Sequence, residues 1–254
     1  MHWPRSITIV VGFLLGFFAC GTAFGQNRTI VDRFERAYRN SRTLQATFLQ
    51  RYIENGREVR SEAGIAYFGR PGKMRWEYRS PEPNLYLIDG KWSWFYVPAD
   101  HTVTRIRAKE SADWRTPLAL LAGEMKVSRI CAQVTVDTSA RAAISSNVVL
   151  RCELRGSTPA QRQREGSTIS ETAGNRVLFE VNPANGELAR ILISDPGGVQ
   201  VEFRFADWQF DPHLDAKLFR FEPAKGVAIV DGDLAPPSAS PGPNHSDAKV
   251  PSFP

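Results

Sequence analysis

The chain is poor in residues that do chemistry. Only four histidines occur in 254 residues, His2, His101, His213 and His245, far apart and without metal-ligand spacing. There is no GxSxG, P-loop or CxxC motif. Aspartates and glutamates are scattered along faces expected to point outward, with no sign of a buried pair. These absences exclude the common routes to nucleophilic, metal-assisted and paired-carboxylate catalysis. No enzyme activity, cofactor or metal is therefore expected. Runs of lysine and arginine are missing too. The net charge of +5 is spread along the chain, which argues against nucleic acid as a partner. The apolar run Ile7–Phe18 falls short of the ~20 residues that a membrane crossing needs.

That run follows Arg5 and precedes Ala23-Phe24-Gly25, which puts small residues at the −3 and −1 positions of a cleavage site. Residues 1–25 read as a secretory signal peptide and stand apart from the fold. Phe17-Phe18-Ala19-Cys20-Gly21 also loosely matches a lipobox, so lipid anchoring at Cys20 is the alternative. Cleavage leaves two cysteines, Cys131 and Cys152, each in a segment of alternating apolar residues. Export to an oxidising compartment predicts a disulfide between them; two buried thiols are the alternative.

What the chain has is aromatic alternation. From Gly64 to Tyr96 large aromatic residues fall at alternating positions within stretches broken by turn residues. Met74, Trp76 and Tyr78 share one face of a strand, while Lys73, Arg75, Glu77 and Arg79 share the other. Ile30, Val31, Phe34, Ala37 and Tyr38 follow helical spacing behind a cap at Asn27 or Thr29. Leu44, Ala46 and Phe48 then switch to period two. Asn55-Gly56, Asp89-Gly90 and Asn185-Gly186 mark tight turns between strands. Thr116-Pro117 opens a short amphipathic helix carrying Leu118, Leu120 and Leu121. Strands are predicted at Lys126–Asp137 and Asn147–Arg155, and a last short one at Leu218–Glu222. Gly156–Asn175 reads as a long polar loop, and residues 232–254, rich in Pro, Ser, Gly and Ala, as a disordered tail.

About ten or eleven hairpin-linked strands with a few short helices predict a mainly β fold, a curved antiparallel sheet or unclosed β-barrel over residues 26–231. The helices are too few to cover a flat sheet but enough to close one mouth. The large aromatics from Tyr67 to Tyr96 exceed what a small solid barrel packs, which favours a container.

The chain resembles the periplasmic outer-membrane lipoprotein carrier family, LolA. The matching residues are Leu44-Gln45-Ala46-Thr47-Phe48-Leu49-Gln50, then Gly64 leading to Arg70-Pro71, Met74 and Trp76. Asp89-Gly90-Lys91, Trp94-Phe95-Tyr96, the Thr116-Pro117 helix, and Phe219, Phe221, Pro223, Gly226 and Val227 follow in order. The resemblance implies a helical lid over a hydrophobic cavity. It implies a soluble, monomeric periplasmic carrier of acylated lipoproteins, loaded by an inner-membrane ABC transporter and unloaded onto an outer-membrane receptor. Phe48, Phe68, Met74, Trp76, Tyr78, Tyr86, Trp94, Leu118 and Leu121 are the expected cavity lining, and Arg70, matching the family's Arg before Pro, the expected lock on the lid. Related barrels also serve as receptors and envelope-stress sensors; acylation at Cys20 would favour that alternative. The 156–175 loop, the tail and the cysteine pair depart from the family pattern.

Overall fold

The computed structural model describes residues 22–108, 116–123, 126–155, 176–195 and 197–232. Residues 1–21 of the expected signal peptide, with Cys20, and the expected loop at 156–175 and tail beyond Gly232 lie outside the described residues. Helix α1 (Thr22–Arg39) leads into β1 (Thr43–Glu54), β2 (Arg57–Gly69), β3 (Lys73–Ser80), β4 (Asn84–Ile88), β5 (Trp92–Val97) and β6 (Thr102–Arg107). Helices α2 (Thr116–Ala122) and α3 (Val127–Ile130) precede β7 (Cys131–Val136), β8 (Val148–Leu154), β9 (Arg176–Val181), β10 (Leu188–Ser194), β11 (Val199–Phe210) and β12 (Ala228–Asp231). All twelve strands form one sheet in the order β12-β6-β5-β4-β3-β2-β1-β11-β10-β9-β8-β7. The terminal strands β12 and β7 are not paired with each other, so the sheet stays open.

The sheet is bent by irregular pairing. Register shifts interrupt β1 and β2, one of them at Ala63/Gly64 opposite β3. Gly64 is required there: a Cβ at this position would lie 1.8 Å from the carbonyl oxygen of Glu77. The concave face carries the main core, and α1 lies across it with Ile30, Phe34 and Tyr38 buried. Phe34 meets Phe179 of β9 at 5.7 Å between ring centroids, and Tyr38 meets Trp208 of β11 at 5.1 Å. The Tyr38 hydroxyl accepts a hydrogen bond from the Leu188 amide (2.7 Å), and burial pushes its pKa well up. A smaller cluster of Leu87, Trp94, Val103 and Phe219 sits on the convex face, under the segment after β11.

Three expectations are corrected. Helix α1 begins at Thr22, ahead of the cap expected at Asn27 or Thr29, and takes in the Ala23-Phe24-Gly25 step. The strand expected from Lys126 begins instead with α3. There the Glu35 carboxylate of α1 accepts from the Val127 amide (2.7 Å), so a tertiary cap overrides the β-branched local sequence. The strand expected at Leu218–Glu222 is a 3₁₀ turn, Ala216–Phe219, started by the Asp215 carboxylate accepting from Lys217 N (2.9 Å). The last strand is β12, a parallel addition beside β6.

Candidate functional site

The concave face is built by alternation. Gly64, Ala66 and Phe68 of β2 lie opposite Tyr78, Trp76 and Met74 of β3, and Trp76 in turn lies opposite Tyr86 of β4. Period-two geometry sends all of these to one side, where Phe48 of β1 joins them. Trp76 is the hub. Its ring lies 4.6 Å from Phe48, 5.9 Å from Phe68, 5.5 Å from Phe203 and 6.1 Å from Phe205, mostly edge to face. Phe48, Phe68, Met74, Trp76, Tyr78 and Tyr86 are all buried in this one cluster, together with Leu118 and Leu121 of α2. In this conformation the side chains themselves fill the hydrophobic interior.

Trp94 does not belong to it. In β5 the inward residues are Ser93 and Phe95, opposite Ile88 and Tyr86. Trp94 points to the convex side, where its ring stacks on Phe221 at 5.1 Å and its indole nitrogen donates to Asp89 Oδ2 (2.9 Å). The cavity role expected for Trp94 is therefore corrected: β5 carries rings on both faces, and the segment after β11 covers the outer one.

Arg70 follows β2 at the end of the sheet where α1 and α2 converge. Its guanidinium is half-buried, and all five of its hydrogen bonds go to carbonyl oxygens. Nη1 donates to the carbonyls of Tyr38, Arg39 (3.1 Å) and Ser41 (3.0 Å), and Nε and Nη2 both donate to Leu121 O (3.2 Å each). The last carbonyls of a helix have no partners within it, so this fork satisfies the ends of two helices at once. Burial lowers the Arg70 pKa, and the charge of Asp211 partly opposes that. Gly72 adds a backbone bond to Ala122 O (2.8 Å). α2 is thus latched over the concave face from the β2–β3 turn.

At the opposite end of the same face lies a polar group that sequence reasoning missed. Gln50 of β1 is fully buried; it bonds to the Tyr52 hydroxyl and accepts from the Tyr78 hydroxyl (2.9 Å). Glu62, paired with Gln50 across the β1–β2 ladder, is only 3% exposed and accepts from Arg60 (2.5 Å). Burial raises the Glu62 pKa against the lowering effect of Arg60. The parity of Gln50 with Leu44, Ala46 and Phe48 was the legible signal.

Two further buried carboxylates, Glu202 and Glu180, tie strands and loops together. Glu202 sits on the convex side of β11 among Arg51, Arg190 (3.3 Å) and Arg204 (3.2 Å), and these arginines keep its pKa low against its burial. Glu180 accepts from the amides of Ala143 (2.8 Å) and Ile144 (2.9 Å) and pairs with Arg190 (2.8 Å), fixing the β7–β8 connection to the sheet. Cys131 and Cys152 are bonded to each other across β7 and β8. Among the described residues no three His, Cys, Asp or Glu side chains are grouped to hold a metal ion, and no helix is long and apolar enough to cross a membrane.

What the arrangement offers chemically is an apolar surface with α2 bonded over it. The family model described as outer membrane lipoprotein carrier protein LolA matches residues 39–150. The chain is 30% identical to an outer-membrane lipoprotein carrier protein of Dechloromonas aromatica, over 79% of this chain and 86% of that one. It is equally 30% identical to the protein of the same name from Methylococcus capsulatus, over 83% of this chain and 92% of that one. A crystal structure of a LolA superfamily protein from Nitrosomonas europaea superposes with a TM-score of 0.41 at 12% identity, covering 77% of this chain and 97% of that one.

Proposed function

This chain belongs to the LolA family of outer-membrane lipoprotein carriers, and on that premise we propose that it shelters the acyl chains of lipoproteins during their passage between the two membranes. It takes acylated proteins from an inner-membrane ABC transporter and gives them up to an outer-membrane receptor, acting as a periplasmic monomer without cofactor or catalysis. The observation that carries this reading is the aromatic concave face closed by α2, with Arg70 joining the carbonyl ends of α1 and α2.

The energetics fit a carrier. Exposing a sixteen-carbon chain to water costs about 12 kcal/mol at ~0.8 kcal/mol per CH₂. An apolar interior recovers that cost. A carrier must also unload, and an interior that fills with its own rings supplies the competitor: the closed state displaces cargo as cargo displaces the closed state. The signal segment at residues 1–25 supports export. The intact mass of the exported protein separates a free carrier, cleaved after Gly25, from an anchored receptor acylated at Cys20.

Titration with a fluorescent palmitoyl probe tests the reading. Met74→Glu puts a carboxylate in the middle of the concave face and is expected to weaken binding at least about tenfold, whereas Met74→Leu keeps it. Equal affinity of wild type and Met74→Glu would remove the concave face from the binding site.

A further inference from the structure

The polar group at the end of the concave face away from Arg70 has one atom left over. Glu62 Oε1 accepts from Arg60, but Glu62 Oε2 is buried and has no hydrogen-bond partner. Gln50, Tyr52 and Tyr78 around it are joined to one another. Buried carboxylate oxygens are normally satisfied, and an exception calls for an explanation. Register places this oxygen on the inner side: Glu62 lies opposite Gln50, and Gln50 holds the hydroxyl of Tyr78, a member of the main core. The apolar face therefore ends in a hydrogen-bond acceptor. The neighbouring charge of Glu82 makes that end still less welcoming to anions, and Arg60 is already engaged by Glu62.

We propose that Glu62 is a specificity-determining residue that accepts a hydrogen bond from an N–H group attached to the acylated end of the ligand, so that the site distinguishes acyl chains carrying such a donor from free fatty acids. This deepens the carrier reading and rests on it. Two sources share the chemistry: the amide N–H of an acylated, peptide-linked cysteine, and the ammonium of an aminophospholipid. A fatty acid instead presents a carboxylate, which the Glu62 carboxylate repels.

The experiment compares three probes on wild type and Glu62→Gln: a synthetic triacylated cysteinyl peptide, phosphatidylethanolamine, and palmitate. The substitution keeps the shape and the bond to Arg60 but turns the free acceptor into a donor. Whichever N–H-bearing probe is the natural ligand should bind about three- to tenfold more weakly to Glu62→Gln, while palmitate binds equally or more tightly. Glu62→Met, which removes the acceptor without adding a donor, should move the ratio in the same direction and guards against misfolding of the first variant. Loss confined to the lipopeptide identifies the peptide-linked source, and loss confined to phosphatidylethanolamine identifies the lipid; either supports the proposal. Equal weakening of all three probes, or no change in any, overturns it and leaves the carrier reading standing. Failure of wild type to bind any of the three overturns both.

Discussion

Replacing Arg70 by leucine should loosen the empty protein and tighten its hold on acyl chains. The side chain makes five hydrogen bonds, all to carbonyl oxygens: three at the end of α1 and just beyond it, and two to Leu121 of α2. Bonds from a charged donor are worth about 1.5–3 kcal/mol each when removed. The guanidinium is only half withdrawn from water, and its burial already lowers its pKa, so the sum is discounted to about 2–4 kcal/mol of closed-state stability. At ~1.4 kcal/mol per decade this moves the closed-to-open ratio by about 30- to 1,000-fold. Apparent affinity rises with the competent fraction until that fraction approaches one. A palmitoyl probe should therefore bind at least about tenfold tighter to Arg70→Leu and leave more slowly, while the empty variant melts about 4–16 °C lower. Arg70→Lys should fall between, because an ammonium keeps the charge but cannot fork between two helices. Stopped-flow release and equilibrium titration of the same preparations provide the assay. An Arg70→Leu protein that melts like wild type and releases probe at the wild-type rate would refute the latch.

Three further outcomes follow from the framework around the site. The cysteines are separated by 21 positions, so reduction should cost about 3 kcal/mol on the loop-entropy account, a fall of about 6–12 °C in Tm; two free thiols in non-reduced peptide mapping would contradict the bond. Gly64→Ala forces a methyl against the Glu77 carbonyl and should destabilise by about 3 kcal/mol or more, seen in urea melts; a neutral result would show that the β2–β3 bulge yields easily. The Asp137 carboxyl is held at about 2, chiefly by the Ser139 hydroxyl and also by Arg151. A depressed pKa contributes fully above the ordinary carboxylate value near 4 and is lost as pH falls through about 2, so Asp137→Asn should flatten the acid limb of the stability curve between those values; an unchanged limb would place the acid sensitivity elsewhere.

Sequence patterning disclosed most of this fold where one face is dry and the other wet. Met74, Trp76 and Tyr78 alternate with charged residues, and they lie inside. Ile30, Phe34 and Tyr38 at helical spacing mark the buried stripe of α1. The open mainly β sheet with short helices followed from the same periodicities. Patterning failed where both faces are covered. In β5, Trp92, Trp94 and Tyr96 alternate with Ser93 and Phe95, and only the docking of Phe219 and Phe221 on the convex side decides which set faces out. It failed again where a distant group sets the local structure, as Glu35 does for α3, or where a strand pairs far along the chain, as β12 does with β6. Glu62 escaped notice because a carboxylate is not expected inward, although it shares strand parity with Gly64, Ala66 and Phe68 and lies opposite Gln50.

The central claim is that acyl chains enter the concave face in place of its own packed rings. It is tested most directly by photo-crosslinking with a palmitoyl chain bearing a diazirine, followed by peptide mapping of the labelled residues. The account predicts label on β1, β3 and β11 around Phe48, Met74, Trp76 and Phe203, and more of it in Arg70→Leu than in wild type. Label concentrated on the convex cluster of Leu87, Trp94 and Phe219, or label indifferent to Arg70, would contradict it.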